Sequence, residues 1–345
     1  MRKRTLGFKL IAGGILVVLV PLIVVGLFSV TKASKSLEAL SHEQWLNISN
    51  NLAQLTEMVL QEELKLALQV SGSNTAIQTV SSVAGNGVEG SREEINKLNT
   101  EFESYMEKIG SQLETIFAAD AGGTIYADGS NGGYKGISIT DREYFIAAKS
   151  GKVNVGTVIR SRKTGNLTVP VCVPVYGGSK KFAGVVVVLL KIDFLMDKIT
   201  SVRVGTTGYP WMINEKGVVL AHPNKKHILE SDFTKLKEME TIVSRMMAGQ
   251  TGIGTYTFEG IEKIAGFAPI RLTGWSVGVT QNMEEFAAEI NSMKKIILMV
   301  VIFSLVSTVL LVFLFARRTT RPIMHAADML NEASDQVSSA SSQVS

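Results

Sequence analysis

The 345-residue chain carries few side chains suited to catalysis or metal binding. Its histidines are His42, His222, His227 and His325. His222, His227, Glu230 and Asp232 fall in one stretch, and two imidazoles with two carboxylates can ligate a metal. Their spacing matches no standard zinc motif, so a solvated loop is the plainer reading. Cys172 is the single cysteine, which excludes an intrachain disulfide and any multi-cysteine metal site. Between Val171 and Val173 it reads as an inert buried thiol. Asp128-Gly-Ser-Asn-Gly-Gly133 lacks the acidic ligands of a calcium loop and reads as a turn. Asn47-Ile-Ser49 and Asn166-Leu-Thr168 fit a glycosylation pattern that often arises by chance. No nucleophile elbow, Walker loop or dinucleotide fingerprint stands in a supporting context, so nothing argues for an enzyme or a cofactor. The cationic side chains offer more. Arg160, Arg162 and Lys163 cluster beside Gly165, either on a solvated hairpin tip or at a pocket mouth that attracts anions. Arg142 heads Asp141-Arg-Glu-Tyr-Phe145. A guanidinium can hold a planar carboxylate through paired bonds, or Arg142 can be a structural helix-start residue paired with Glu143.

The elements that must position these residues begin with two apolar runs. Residues 10–30 and 296–316 contain no charged side chain, and each is long enough to cross a bilayer as a helix. They account for the positive mean hydropathy of a chain with 31 glycines. Arg2, Lys3, Arg4 and Lys9 precede the first run, and Arg317, Arg318 and Arg321 follow the second. By the positive-inside rule both termini are cytoplasmic, although Lys32, Lys35, Lys294 and Lys295 weaken the bias. Residues 1–9 then form a cytoplasmic start, 31–295 an extracytoplasmic segment and 317–345 a cytoplasmic tail. Removing these seven cations from the 35 basic residues, and Asp328, Glu332 and Asp335 from the 31 acidic ones, leaves 28 of each sign outside. The net +4 therefore marks topology, and the nucleic-acid partner suggested by a basic chain drops out.

A proline-free stretch from Ser36 to about Val80 reads as a long stalk helix (36–80), with Leu37, Leu40, Leu52, Leu55 and Val59 at helical spacing. Glu57, Glu62, Glu63 and Lys65 mark its polar positions. Such a helix can pair with its copy in a dimer or carry a domain on its side. Residues 72–92, rich in Gly, Ser and Asn, read as a loop. Two strand-rich units follow, a distal one over 85–200 and a proximal one over 201–281. In the first, 114–119 and 124–127 flank Asp120-Ala-Gly-Gly123 as a hairpin, 141–150 reads as a short helix, and 154–160, 167–176 and 182–191 read as strands punctuated by Gly165-Asn166 and Gly177-Gly178. Residues 193–200 read as a helix. In the second, 209–213 and 218–221 flank Asn214-Glu-Lys-Gly217, 235–247 reads as an amphipathic helix, and 252–258, 263–269 and 275–280 read as strands. An exit helix over 282–295 runs into the second span. The shared order predicts an α+β fold, two sheets with helices segregated to one side, repeated in pattern but not in residue identity.

Tyr209-Pro-Trp-Met-Ile-Asn-Glu-Lys-Gly217 leading to Val219-Leu-Ala-His-Pro223 resembles the membrane-proximal half of a double Cache domain, and Asp141-Arg-Glu-Tyr-Phe145 before Ala147-Ala148 resembles the helix of its distal half. With the spans and tail, residues 10–345 resemble the sensor half of a methyl-accepting chemotaxis protein. The resemblance implies two PAS-like antiparallel sheets on a stalk helix, a homodimer, and ligand binding in the distal unit. In the amino-acid-binding members, an Arg and its aromatic partner hold the ligand carboxylate, while Tyr residues and an Asp hold the ammonium. The Arg matches Arg142, the aromatic pair falls on Tyr144 and Phe145, the first Tyr on Ile137, and the Asp on Leu189. Tyr126 is a further candidate for the pocket wall. A semi-buried ammonium needs an acceptor, which Ile137 and Leu189 do not offer. The resemblance thus implies a small organic acid without an α-amino group as ligand.

In the tail, Ile323, Ala326, Leu330, Ala333, Val337, Ala340 and Val344 follow an a/d heptad seam, with Pro322 suited to the helix's first turn. Arg321-Pro322-Ile323 resembles the beginning of a HAMP-type linker, and the Ala/Ser/Gln-rich coil resembles the start of a signalling coil. The resemblance implies a chemotaxis kinase and adaptor as partners, reached through a cytoplasmic region beyond this chain, which reads as a fragment. A histidine kinase or cyclic-dinucleotide synthase sensor, and a structural membrane protein without a ligand, are the alternatives.

Overall fold

The computed structural model describes residues 6–177, 180–200, 202 and 204–344. They form two compact units, one of residues 42–286 and one of the flanking residues on either side. Arg2, Lys3, Arg4 and Gly178 lie outside the described residues, as do the side chains of Lys9, Arg321, Ile323, Val337, Ala340 and Val344.

Helices α1 (Leu6–Ser71) and α7 (Met283–Val344) are each long and apolar enough to cross a membrane. Leu16, Val17, Leu27 and Phe28 on α1, and Ile296, Phe303, Leu311 and Phe315 on α7, are exposed. Apolar side chains on all sides of a helix suit lipid rather than water. Within the flanking unit, a Cβ on Gly26 would stand 2.9 Å from a Val301 methyl, so the missing side chain lets the two helices approach. The exit helix, second span and tail form one helix, and Pro322 sits in its interior rather than in a first turn. The preceding apolar run supplies the turns upstream, so the proline gives up one backbone bond without ending the helix.

In the central unit, α1 buries Trp45, Ser49, Leu52, Thr56, Leu60, Glu63, Ala67 and Val70, spaced by three and four, with Ala53 beside Leu52. This stripe is rotated from the one that the leucines suggest. Leu40 is exposed and Glu63, a polar position by sequence, is buried. The stalk helix ends at Ser71 rather than near 80, and the expected loop over 72–92 is mostly helix: α2 runs over Asn74–Asn86 and a short 3-10 turn over Glu89–Ser91. Ser73 caps α2 by accepting a bond from the Ala76 amide at 3.1 Å, and Ala76, Thr79, Val80 and Val83 form its buried face. Small polar residues read as a loop only while that burial is unknown. Helix α3 (Arg92–Ile109) follows.

The distal sheet comprises β1 (Leu113–Asp120), β2 (Ile125–Asp128), β3 (Asn154–Val155), β4 (Ile159–Arg160), β5 (Leu167–Tyr176) and β6 (Phe182–Lys191). Its order is β2-β1-β6-β5-β3, with β4 also on β5, and every pairing is antiparallel. The expected single strand over 154–160 splits at Gly156, where a Cβ would stand 2.9 Å from both Tyr144 Cβ and Pro170 Cγ. Helix α4 (Glu143–Lys149) covers one face, and α2 and α3 pack on the other, so the helices are not confined to one side. Helix α5 (Ile192–Thr200) leads to the proximal sheet: β7 (Tyr209–Ile213), β8 (Val219–Ala221), β9 (Gly252–Phe258), β10 (Ile261–Ile270) and β11 (Trp275–Asn282), ordered β8-β7-β11-β10-β9. Leaving out β4, both sheets run second, first, fifth, fourth, third, so the repeat seen as a pattern is a repeat of topology. The helix expected over 235–247 is two 3-10 turns followed by α6 (Glu240–Met247), whose Ile242, Val243 and Met246 pack on Trp211, Tyr256 and Phe267. On the other face α1 meets β10 closely: a Cβ on Gly266 would stand 2.6 Å from the Trp45 carbonyl oxygen.

Candidate functional site

Between the distal sheet and α4 lies a cleft lined by Phe117, Ile125, Tyr134, Ile137, Ile139, Arg142, Tyr144, Ile159, Ser161, Arg162 and Leu189. The cleft is tight: its free space, open solvent included, is about 290 Å³. Phe117, Ile125 and Leu189 come from the sheet face. The segment before α4 runs beside β2, with Ile125 N donating to Ile137 O at 3.0 Å and Ile139 N to Gly123 O at 2.8 Å. This fixes Ile137 and Ile139 on the cleft wall and delivers Arg142 as the residue that precedes the first turn of α4.

Four of the six residues singled out by sequence, Ile137, Arg142, Tyr144 and Leu189, line this cleft. Phe145 is one step beneath it, buried in the core with its ring edge-on to Phe182 at 6.2 Å. Tyr126 is elsewhere. Adjacent Ile125 faces the cleft, and strand alternation turns Tyr126 to the opposite face. There its hydroxyl is buried without a hydrogen-bond partner, and burial drives its pKa up.

Arg142 does not pair with Glu143. Its guanidinium donates to the Arg160 carbonyl at 3.0 Å, while Glu143 accepts from Lys216 Nζ of the proximal unit at 3.0 Å. Among the described residues no carboxylate lies within ion-pair distance of Arg142. The second guanidinium, Arg162, holds Asp141 at 2.5 Å and donates to the Ser138 carbonyl. That contact keeps the Asp141 carboxyl below the usual carboxylate range. Of the basic cluster, Arg162 is thus at the pocket wall. Its neighbour Ser161 lies 3.3 Å from the Tyr134 hydroxyl, which donates to Glu114 at 2.9 Å. Burial pushes Tyr134 up to about 12. Burial by itself would raise Glu114 too, but bonds from Thr164, Asn166 and Tyr134 outweigh it and lower its pKa. Sequence reasoning missed Tyr134, Ser161 and the apolar wall of Phe117, Ile125, Ile139 and Ile159. Only the alternation of the β1 and β2 strands could have hinted at Phe117 and Ile125.

The proximal histidines do not assemble a metal centre, and no group of three or more His, Cys, Asp or Glu ligands occurs among the described residues. His222 Nδ1 accepts from the Asn224 amide at 3.0 Å, and burial lowers its pKa to about 4. His227 stands between Ser231 and Glu259, Glu230 faces Arg160, and Asp232 binds Thr234 and Lys235. Cys172 is buried in the distal core, and Asp128 accepts from the amides of Ser130, Gly132 and Tyr134, which makes its loop a closed turn.

The family described as Cache domain matches residues 33–290. Methyl-accepting chemotaxis protein McpA of Bacillus subtilis (strain 168) is 24% identical over 334 residues, covering 94% of this chain and 46% of McpA. The chain therefore spans about half the length of that relative. Among solved structures, the ligand-binding domain of the Pseudomonas aeruginosa PAO1 amino acid chemoreceptor PctB, in complex with L-Arg, has a TM-score of 0.52 at 18% identity, covering 70% of this chain and 95% of that one. An extracellular domain assigned to a histidine kinase, mmHK1S-Z3, has a TM-score of 0.56 at 16% identity, covering 72% and 97%. At these identities the two structures speak to the fold alone.

Proposed function

The chain belongs to the Cache domain family, and from that membership we propose that it is the sensor part of a dimeric transmembrane chemoreceptor that detects a small organic acid in its distal cleft. One observation carries the ligand reading: Arg142 lines the cleft and donates to a backbone carbonyl, with no carboxylate in ion-pair contact among the described residues. A guanidinium so placed suits a carboxylate. The residues beside it, Ile137 and Leu189, provide no acceptor for an ammonium. Tyr144 supplies packing or a hydroxyl. Basic residues flanking the two apolar runs support a reading with both termini in the cytoplasm and the sheets outside. Ligand binding would favour one dimer geometry over another, and α7 would carry the shift to a cytoplasmic kinase and adaptor. The histidine-kinase alternative rests on a shared fold, whereas the chemotaxis relative matches nearly the whole chain, tail residues included. Calorimetry of the full chain in lipid nanodiscs, titrated with organic acids and amino acids, tests the ligand. Organic acids should bind, and Arg142→Ala should abolish binding. Tight amino-acid binding that survives Arg142→Ala would overturn the proposal.

A further inference from the structure

We infer that the cleft selects monocarboxylates with an apolar body, and that the Asp141–Arg162 ion pair is what rejects a second carboxylate. The inference rests on the carboxylate reading of Arg142 and adds the class of acid.

Charge decides the first half. Two guanidiniums line the cleft, and Asp141 lies 2.5 Å from one of them. Arg162 also donates to the Ser138 carbonyl, so its donors are engaged on two sides. Arg142 keeps the remaining positive charge and donates only to a neutral carbonyl. Asp141 offsets one of the two guanidinium charges, and the net single positive charge over the three groups matches one anionic group. A second carboxylate on the ligand would have to take Arg162 from Asp141, leaving Asp141 beside the ligand as a like charge. An ammonium would meet two guanidiniums, and Glu114, the nearby carboxylate, already accepts from Tyr134, Thr164 and Asn166.

The rest of the wall decides the second half. Phe117, Ile125, Ile137, Ile139, Ile159 and Leu189 are hydrocarbon, and Tyr144 adds a buried ring. A polar body would lose water there without replacement bonds. The neutral polar groups on the wall are the hydroxyls of Tyr144, Tyr134 and Ser161. The Ser161 hydroxyl lies 3.3 Å from that of Tyr134, and the pair can meet a neutral hydroxyl or keto oxygen on the ligand.

Calorimetry of the full chain in lipid nanodiscs provides the test, with isovalerate, succinate and leucine as probes. Isovalerate should bind at least tenfold more tightly than either of the others. Asp141→Asn should leave isovalerate within about threefold and tighten succinate at least tenfold, because Arg162 is then free. Asp141 is a surface side chain, and an unchanged thermal melt of the variant checks that it folds. Succinate binding as tightly as isovalerate, or an Asp141→Asn variant with an unchanged succinate-to-isovalerate ratio, overturns the inference. If Arg142→Ala still abolishes that binding, the carboxylate reading of Arg142 survives. Absence of binding by any acid overturns both.

Discussion

Replacing Glu63 by glutamine should stabilise the protein at neutral pH and leave it unchanged in acid. Glu63 is on the buried face of α1 and is 4% exposed. One carboxyl oxygen accepts from Gln112 Nε2 at 3.2 Å, and the other has no partner. Burial, and then the neighbouring Glu62 charge, raise its pKa from 4.5 to about 7. The folded state therefore holds a proton that the unfolded chain releases near 4.5. The stability this proton provides is fully present below 4.5 and is lost as pH rises through about 7. At about 1.4 kcal/mol per pH unit, that interval corresponds to about 3 kcal/mol. Glutamine is shaped like the protonated acid and cannot ionise. Glu63→Gln should therefore gain about 3 kcal/mol over wild type at roughly pH 8 and almost nothing at roughly pH 4. Denaturant melts of both chains in the same nanodiscs measure the difference, and the other carboxylates cancel in it. A difference that stays flat across this range would refute the reasoning, because it would mean that Glu63 titrates alike in both states.

Two further substitutions probe the packing. Gly266→Ala places a Cβ against the Trp45 carbonyl oxygen and should cost roughly 1–3 kcal/mol, read as a lower melting midpoint. Glu285, in the first turn of α7, accepts from the amides and hydroxyls of both Thr206 and Thr207, and these bonds hold its pKa down to about 2. Glu285→Ala should speed hydrogen exchange at the Thr206 and Thr207 amides; unchanged exchange would show that the loop does not depend on this carboxylate.

Features that depend on local composition were legible in the sequence. Two uncharged apolar runs mark the helices long and apolar enough to cross a membrane, Gly-containing turns at 120–123 and 214–217 mark the hairpins, and the valine-rich run of β6 marks a strand buried on both faces. These features need no knowledge of neighbours, because length, turn chemistry and apolar content are properties of a segment. Arg142 and Tyr144 were singled out through the family resemblance rather than composition, and one short helix start carries both. Which face each element turns inward was settled only by packing across the chain. Glu63 reads as a surface acid until α1 is seen packed against the segment carrying Gln112, and α2 reads as a loop until its Val80 and Val83 are covered. Tyr126 and Ile125 are adjacent, and only the sheet's orientation sends one to the cleft and the other away from it. Arg162 and Arg142 stand on separate segments, and the bond from Arg142 to the Arg160 carbonyl joins those segments at one cleft wall. Burial and partnership are relations between distant segments, and a single segment's composition does not contain them.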